Sequence, residues 1–293
     1  MRLLLLGANG QVGWELQRSL APLGEVIVPA QRADFTQPVA LTALVRALKP
    51  DVIANAAAYT AVDKAESDAE AARAVNATAA AVLAREAATL GAWLLHYSTD
   101  YVFDGSGSAA RSEDAPTGPV NIYGRTKLEG EQLIRASGCR HLILRTSWVY
   151  GTRGGNFAKT MLTLAAERDA LAVIDDQHGA PTGADLLADV SAHALRRAIA
   201  EPALAGTYHC VAAGETTWHG YARTVIERAR AAGRPVKVAP DAVRAVPTSG
   251  YPTPAARPLN SRLDCAKLRQ AFGLHLPPWQ AGVERMLVEL LGQ

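Results

Sequence analysis

The sequence predicts an α/β fold in which a doubly wound parallel sheet is joined to a smaller C-terminal lobe. Short apolar runs alternate with segments of helical periodicity over about the first 150 residues, and several helical segments end at glycine or proline. Such alternation is typical of a parallel sheet with helices on both faces. We expect a sheet domain over residues 1–150, returning segments from about 175–207, and an interleaved second lobe over most of 151–293.

The individual elements follow from their residue patterns. The run RLLLL at 2–6, closed by Gly7, predicts a buried strand, and the helix that follows is predicted to end at Gly24. Further strands are predicted at 25–30, 51–58, 92–99 and 141–151, and further helices at 39–50, 68–91 and 121–138.

Beyond Gly151 the alternation loosens. Helices are predicted at 156–169, 184–201 and 217–233, with a strand at 207–214. The stretch 243–263 is rich in proline and has little periodicity. A loop of this length in a compact domain usually binds something, so we expect the smaller lobe to bind the substrate.

Composition and charge exclude several functional classes. The net charge is +2, the pI is near 8.5, and basic residues are scattered, so we expect no nucleic-acid partner and no membrane surface as partner. No segment approaches the roughly 18 apolar residues that a membrane span needs. Cys139, Cys210 and Cys265 lie far apart and the histidines lack zinc-ligand spacing, which predicts reduced thiols in a cytoplasmic protein.

A glycine-rich turn lies between the first predicted strand and the first helix. Its residues, GANGQVG, place Gly7, Gly10 and Gly13 three positions apart. Glycines let the backbone turn tightly beside a pyrophosphate, and the helix N-terminus supplies amide donors. The spacing is GxxGxxG rather than GxGxxG, so a simple strand-to-helix turn is the alternative. Its position between strand and helix favours dinucleotide binding and a Rossmann-like sheet.

The end of the second predicted strand bears on the choice between NADPH and NADH. An acid there binds the ribose 2′-hydroxyl, whereas an arginine accommodates a 2′-phosphate. The strand ends in VIVPAQRADF, with no acid at its tip and Arg32 close behind. This pattern favours NADPH, with NADH as the alternative, and Arg32 could equally be a solvated loop cation. Asp34 and Phe35 begin a segment that could flank the adenine.

A tyrosine and a lysine lie one helical turn apart in NIYGRTKLEGE, at Tyr123 and Lys127. Positions four apart share one helix face. A nearby ammonium favours the phenolate and lowers the tyrosine pKa, so that the phenol can pass a proton to a developing alkoxide. Carbonyl reduction by a nicotinamide needs such a proton. The spacing is common, however, and alone it would more often decorate an exposed helix.

A hydroxyl-bearing strand end precedes this helix. HYSTDYVFDG, at 96–105, closes the fourth predicted strand with Ser98, Thr99 and Asp100. Ligands of an open parallel sheet collect at the carboxyl ends of its strands. A hydroxyl at this edge could therefore orient a substrate carbonyl or the tyrosine.

The glycine turn, the Ser/Thr strand end and YxxxK occur in the order found in the extended short-chain dehydrogenase/reductases. The longer strings are more specific and run along the whole chain. The sequence resembles the dTDP-4-dehydrorhamnose reductase family in a set of strings taken together: GANGQVG, NAAAYTAVDKAE, HYSTDYVFDG, NIYGRTKLEGE, LRTSWVYG, DDQHGAPTGA and RPLNSRLD. The resemblance implies reduction of a 4-keto sugar nucleotide, the last step of dTDP-L-rhamnose synthesis.

The resemblance also implies roles for individual residues. Tyr123 would give a proton to the C4 oxygen of dTDP-4-dehydro-β-L-rhamnose. Lys127 would bind the nicotinamide ribose and lower the Tyr123 pKa, and Thr99 would be the catalytic Ser/Thr. Cofactor contacts would come from Gly7, Gly10, Gln11, Val12, Gly13, Ala56, Ala57, Ala58 and Tyr97. Substrate contacts would come from Thr60, Val62, Thr99, Asp100, Tyr101, Trp148, Arg257 and Asn260.

Several alternatives stay open. Trp148 could be a core residue, and Arg257 could form a surface ion pair instead of binding a diphosphate. A nucleotide-sugar epimerase or dehydratase could use the same scaffold, as could a non-catalytic dinucleotide-binding regulatory subunit like that of methionine adenosyltransferase. Some relatives depend on Mg²⁺ near a subunit contact, so we include Mg²⁺ and a homodimer among the expectations, without assigning metal ligands.

Overall fold

The computed structural model describes residues 1–30 and 33–292 of the chain. A six-stranded parallel sheet forms its centre. Its strands are β1 Arg2–Leu6, β2 Glu25–Ile27, β3 Val52–Asn55, β4 Trp93–Thr99, β5 Arg140–Thr146 and β10 Gly206–His209. They lie in the order β10-β5-β4-β3-β1-β2. The predicted α/β class and doubly wound parallel sheet are confirmed.

Helices cover both faces of this sheet, and others build the second lobe. The α-helices are α1 Gln11–Leu20, α2 Pro38–Leu48, α3 Val62–Ala65, α4 Ala69–Arg73, α5 Ala79–Leu90, α6 Ile122–Ala136, α7 Phe157–Glu167, α8 Ala184–Ala200, α9 Trp218–Ala231, α10 Ala266–Phe272 and α11 Trp279–Leu291. Short strand pairs join β6 Val149–Tyr150 to β9 Thr182–Gly183, β7 Leu171–Ile174 to β12 Val243–Val246, and β8 His178–Gly179 to β11 Thr216–Thr217. No helix among the described residues is long and apolar enough to cross a membrane.

The leucine run of β1 shows why both faces are covered. Leu3 and Leu5 pack into one core cluster with residues of α1 and α8, whereas Leu4 and Leu6 pack into another with residues of α2 and α5. Side chains alternate between the two faces of a strand, so an unbroken apolar run requires a packed layer on each side. A separate cluster forms the core of the C-terminal lobe.

Several predicted strands are shorter in the structure, with β2 ending at Ile27 and β3 at Asn55, and two regions differ in kind. The helix predicted at 68–91 is interrupted by a π-helical turn at Ala74–Thr78. The predicted loop 243–263 begins with β12, which pairs in parallel with β7. Helical periodicity cannot reveal one inserted residue, and a four-residue strand with exposed positions lacks a distinct apolar pattern.

The π-helical turn serves the packing of α6. The Asn76 amide accepts from Tyr59 N (2.9 Å) and donates to Thr126 Oγ1 (3.1 Å). Gly130 of α6 lies so close that an added Cβ would be 2.2 Å from Asn76 O. Close contact of glycine with backbone therefore sets the depth at which α6 lies against its neighbours.

We predict that Gly130→Ala destabilises the protein by about 1–3 kcal/mol, because overpacking against a backbone oxygen outweighs the helix propensity of alanine. Urea unfolding would measure the change. Gly155→Ala is the matched control, since no atom of the described residues lies within 4 Å of its added Cβ. A gain of stability in Gly130→Ala would contradict the packing argument.

Candidate active site

A cleft of about 1310 Å³ opens at the carboxyl ends of the central strands. It extends from the turn after β1 past the ends of β3, β4 and β5 to the C-terminal lobe. The predicted site residues that line it are Gly7, Gly10, Gln11, Val12, Asp34, Phe35, Ala56, Ala57, Ala58, Thr60, Val62, Tyr97, Thr99, Asp100, Tyr101, Tyr123, Lys127 and Trp148. Most of the predicted set is thus brought to one cavity.

The glycine turn has the shape of a phosphate cradle. Gly7 has φ +80°, and a Cβ there would lie 2.6 Å from Ala57 N. A Cβ on Gly13 would lie 2.1 Å from Gly7 O, so Gly13 allows close packing of helix and strand and is not among the lining residues. Gly10 precedes α1 and makes no side-chain cap bond. The first amides of α1 are therefore available to an anion.

The other end of the cleft contains the segment after β2. Asp34 is exposed and accepts from Thr36 N (2.9 Å) and Thr36 Oγ1 (2.6 Å), and these hydrogen bonds lower the pKa of Asp34. Phe35 lines the same end. Arg32, the residue predicted to favour NADPH, lies outside the described residues.

The start of α6 is fixed by its cap. Asn121 Oδ1 accepts from Gly124 N (2.7 Å), and its Nδ2 donates to Ala256 O (2.7 Å). A Cβ on Gly124 would lie 2.2 Å from Tyr101 O, so the first turn is pressed against the segment after β4. The Tyr123 and Tyr101 rings meet edge to face at 5.7 Å. These contacts hold Tyr123 in the cleft wall.

Lys127 lies deeper than Tyr123 and is almost fully buried. Its Nζ donates to Tyr97 O (2.5 Å) and lies 3.4 Å from His96 Nε2. Burial lowers the pKa of Lys127 to about 8, although the charge of Glu131 acts in the opposite direction. The lysine thus contacts β4 beneath the phenol.

The expectation that Lys127 lowers the Tyr123 pKa is wrong for this arrangement. Burial raises the pKa of Tyr123 to about 12, the Thr99 hydroxyl lowers it in part, and the negative charge of Asp100 raises it further. Spacing placed the two residues on one helix face, but it could not show that Lys127 would donate to Tyr97 O instead. Tyr123 is therefore a fully protonated phenol at neutral pH.

Thr99 and Asp100 form the polar floor next to Tyr123. Thr99 Oγ1 donates to Asp100 Oδ1 (3.0 Å) and accepts from Tyr101 N (3.2 Å). Burial raises the pKa of Asp100 to about 6, opposed by hydrogen bonds from Ser261 and Thr99. Among the residues that the structure describes, Asp100 Oδ2, Ser98 Oγ and Thr146 Oγ1 are buried and have no hydrogen-bond partner. All three side chains belong to the cleft lining, although these three atoms are themselves covered by the surrounding protein.

Two tryptophans form the wall towards the C-terminal lobe. Trp148 has φ +48°, an uncommon conformation for a bulky residue, and its ring stacks on Trp218 with centroids 3.8 Å apart. A Cβ on Gly179 would lie 2.9 Å from Trp148 Cε2, so this glycine makes room for the ring. Trp218 Nε1 donates to Gln177 Oε1 (3.0 Å). The sequence-based prediction missed Trp218, whose one signal is an aromatic residue at the start of an amphipathic helix.

Arg257 and Asn260 are not among the cleft-lining residues. Arg257 donates to both carboxylate oxygens of Asp63 at 2.9 and 2.8 Å. Asn260 is buried, with Nδ2 donating to Ala109 O (2.8 Å) and Oδ1 accepting from Arg262 N (3.2 Å). Their contact with a sugar nucleotide stays a prediction, and the structure supplies other uses for both side chains.

The described part of the chain contains no set of side chains arranged as metal ligands. Within residues 1–30 and 33–292, no group of three or more His, Cys, Asp or Glu side chains is arranged to hold a metal ion. The expected Mg²⁺ therefore has no support from the structure.

The fold and the site define a class. A parallel Rossmann-like sheet whose carboxyl edge carries a glycine turn, a strand-end threonine and a Tyr–Lys pair is the arrangement of the short-chain dehydrogenase/reductases. Comparison with known proteins narrows this class. The family model described as RmlD substrate binding domain matches residues 1–291, and the chain belongs to that family.

Curated and solved relatives agree with this assignment. The chain is 55% identical over 295 residues to dTDP-4-dehydrorhamnose reductase of Escherichia coli K12, covering 99% of this chain and 98% of the relative. It is similar to a solved dTDP-4-dehydrorhamnose reductase from Clostridium acetobutylicum, with TM-score 0.89, 37% identity and full coverage of both chains. A Bacillus anthracis reductase solved in complex with NADP has TM-score 0.87 and 34% identity, covering 98% of this chain and 99% of that one.

We predict that Asp100→Asn stabilises the protein at pH 7–8 by about 1–3 kcal/mol, because it removes a buried carboxylate with a raised pKa. Asp100 binds a proton more tightly in the folded state, so its contribution to stability is full below the ordinary carboxyl pKa of 3.8 and is lost as the pH rises through about 6. The gain should therefore shrink as the pH falls towards 4.

Urea unfolding of both proteins at several pH values would measure this difference. Asp241→Asn, at an exposed position, is the control and should change little. A gain that stays the same from pH 4 to pH 8 would show that Asp100 does not titrate as described.

Proposed function

We propose that this chain reduces the C4 keto group of dTDP-4-dehydro-β-L-rhamnose to give dTDP-L-rhamnose, with NADPH as the preferred coenzyme and NADH as an accepted one. The observation that carries the proposal is the placement of Tyr123, Thr99 and Lys127 in the same cleft as the glycine turn. Membership of the family and 55% identity to a named reductase support this substrate and reaction.

The residues present fit a nicotinamide dinucleotide. Gly7, with φ +80°, lets the chain turn closely against the end of β3, and Gly10 puts no side chain beside the first amides of α1, which can bind a pyrophosphate. The small side chains of Ala56, Ala57 and Ala58 allow a cofactor to lie close to the end of β3. We propose that these residues, with Gln11 and Val12, hold the coenzyme, which when bound supplies the hydride for C4.

The proton comes from the chain itself. Tyr123 is protonated at neutral pH, since its pKa is raised to about 12. We propose that its phenol donates the proton to the C4 oxygen, and that Thr99 Oγ1 orients that oxygen and the phenol. Lys127 would bind the nicotinamide ribose. A positioned acid of this kind contributes a factor of about 10²–10⁴ to the rate.

The remaining lining residues would hold the sugar nucleotide. We propose that Asp100, whose carboxylate lies at the floor of the cleft, accepts a hydrogen bond from a sugar hydroxyl. Thr60, Val62 and Tyr101 also line the cleft, and Trp148 would offer an apolar ring face to the 6-deoxysugar. We propose no sugar contact for Arg257 or Asn260, because Arg257 donates to the Asp63 carboxylate and Asn260 Nδ2 donates to Ala109 O.

Two alternatives receive less support. An epimerase or dehydratase would share the fold, as does a Streptomyces venezuelae dTDP-glucose 4,6-dehydratase with TM-score 0.79, but at 21% identity that likeness concerns the fold alone. A non-catalytic subunit would not need an intact Thr99, Tyr123 and Lys127 set. Net consumption of NADPH with the 4-keto sugar nucleotide would decide against both.

We predict that Tyr123→Phe lowers turnover with dTDP-4-dehydrorhamnose by about 10²–10⁴-fold, because the proton donor is lost. NADPH absorbance would follow the reaction, and coenzyme fluorescence would show that binding is kept. Tyr251→Phe is the matched control, because Tyr251 is exposed and lies outside the cleft lining. Unchanged turnover in Tyr123→Phe would refute the proposed acid.

Asp34 would weaken the proposed preference for NADPH. It lies in the segment after β2, at the cleft end, where a carboxylate beside the adenosine ribose would accept from the ribose hydroxyls, which favours NADH, and repel a 2′-phosphate. We predict that Asp34→Asn raises the ratio of kcat/KM for NADPH over NADH by about 3–10-fold. Steady-state kinetics with each coenzyme would measure the ratio, and a lower ratio would contradict the placement of Asp34 beside the adenosine ribose.

A further inference from the structure

A buried polar chain lies behind Lys127. It crosses from Asn55 at the end of β3, through His96 on β4, to Lys127 on α6, and each side chain is at most 2% exposed. Asn55 Nδ2 lies 3.1 Å from His96 Nδ1, and His96 Nε2 lies 3.4 Å from Lys127 Nζ. The proposed reaction does not use Asn55 or His96, although both are costly to bury.

The backbone fixes which way the Asn55 amide faces. Asn55 Oδ1 accepts from Ala57 N (3.2 Å), so its Nδ2 must face His96. An amide nitrogen can only donate, which makes His96 Nδ1 an acceptor without a hydrogen. Burial and the charge of Lys127 lower the pKa of His96 well below its usual value, so the ring is neutral. Its one N–H is therefore on Nε2.

The Nε2–H of His96 points at Lys127 Nζ. An ammonium has three donors and no acceptor, whereas an uncharged amine can accept one hydrogen bond and still donate to Tyr97 O. We infer that Asn55 and His96 are positioning residues for Lys127, which turn a fixed N–H towards the lysine nitrogen and favour its uncharged form. The consequence for catalysis rests on the proposed contact between Lys127 and the nicotinamide ribose.

The pH range in which Lys127 titrates differs from those of the groups around it. The facing groups are Glu131 and Tyr123 from α6 and His96 and Tyr97 from β4, and Glu131 is itself bound by Arg145 of β5. The pKa of Tyr123 is about 12, and that of nearby Asp100 is about 6. Lys127, with a pKa of about 8, is the group of this set that changes charge just above neutral pH.

The first test uses the unaltered protein. Long-range ¹H–¹⁵N correlation spectra of histidine-labelled protein report which ring nitrogen carries hydrogen, and the His96→Gln spectrum assigns the signals. We expect His96 to be the Nε2–H tautomer between pH 6.5 and 9.5. The Nδ1–H tautomer would overturn the inference, whatever the protein's activity.

The second test measures Lys127 through coenzyme affinity. The Kd for NADH, which lacks the titrating 2′-phosphate, is followed by fluorescence against pH, and Lys127→Met identifies the inflection that belongs to Lys127. We expect His96→Leu and Asn55→Leu each to move that inflection from about pH 8 upward by about one pH unit. His96→Leu removes the N–H that faces Lys127 Nζ, and Asn55→Leu removes the amide that holds the imidazole in its Nε2–H form.

The sign of the shift decides the outcome. A downward shift or no shift of the inflection in folded His96→Leu protein would overturn the inference. If His96 Nε2 instead accepted a hydrogen bond from the Lys127 ammonium, its removal would destabilise the charged lysine and move the inflection to lower pH. His193→Leu is the control, because His193 is exposed on α8. If Lys127→Met keeps the wild-type pH dependence, the proposed ribose contact fails instead, and the tautomer of His96 still decides this inference.

Discussion

The buried ion pair between Glu131 of α6 and Arg145 of β5 is the interaction on which the site geometry depends. Glu131 is fully buried and accepts from Arg145 Nε (2.9 Å) and Nη2 (2.7 Å), with a third bond from Arg135 Nη1 (3.0 Å). These cations hold the pKa of Glu131 below its usual value despite burial. A paired, fully bonded buried charge is tolerated, whereas loss of one partner typically costs about 3–5 kcal/mol. Because Lys127 lies one turn before Glu131, the pair also sets where the lysine meets β4.

Close backbone contacts of two glycines also fix the position of α6. Gly124 brings the first turn of α6 against Tyr101 O, and Gly130 brings a later turn against Asn76 O. A helix held at both points and by Glu131 has little freedom to move Tyr123 relative to the strand ends. The same rigidity keeps Asp100 and Lys127 in surroundings that disfavour their charged forms. Part of the folding free energy is therefore spent on groups that a purely structural core would replace by apolar residues.

The sequence allowed prediction of the parallel sheet, the glycine turn and the Tyr123–Lys127 face because each rests on local periodicity or spacing. It did not predict Trp218 or the Asn55–His96 chain, since these depend on which distant elements become neighbours. Nor could spacing give the direction of the Tyr123 pKa, which burial decides. The π-helical turn at 74–78 escaped for a different reason, because one extra residue within an alanine-rich helix leaves the apolar pattern almost unchanged.

The two tryptophans show how the lobes share one site. Trp148 follows β5 of the central sheet, whereas Trp218 begins α9 of the C-terminal lobe, and their stacked rings span the cleft wall. The left-handed backbone of Trp148 costs free energy that the stack and the space left by Gly179 must offset. Trp218 Nε1 donates to Gln177 Oε1, and the Nε2 of the same Gln177 amide donates to Thr248 Oγ1 (3.1 Å). The Trp148 ring is thus oriented from the second lobe, so that both lobes contribute to the wall of one cleft.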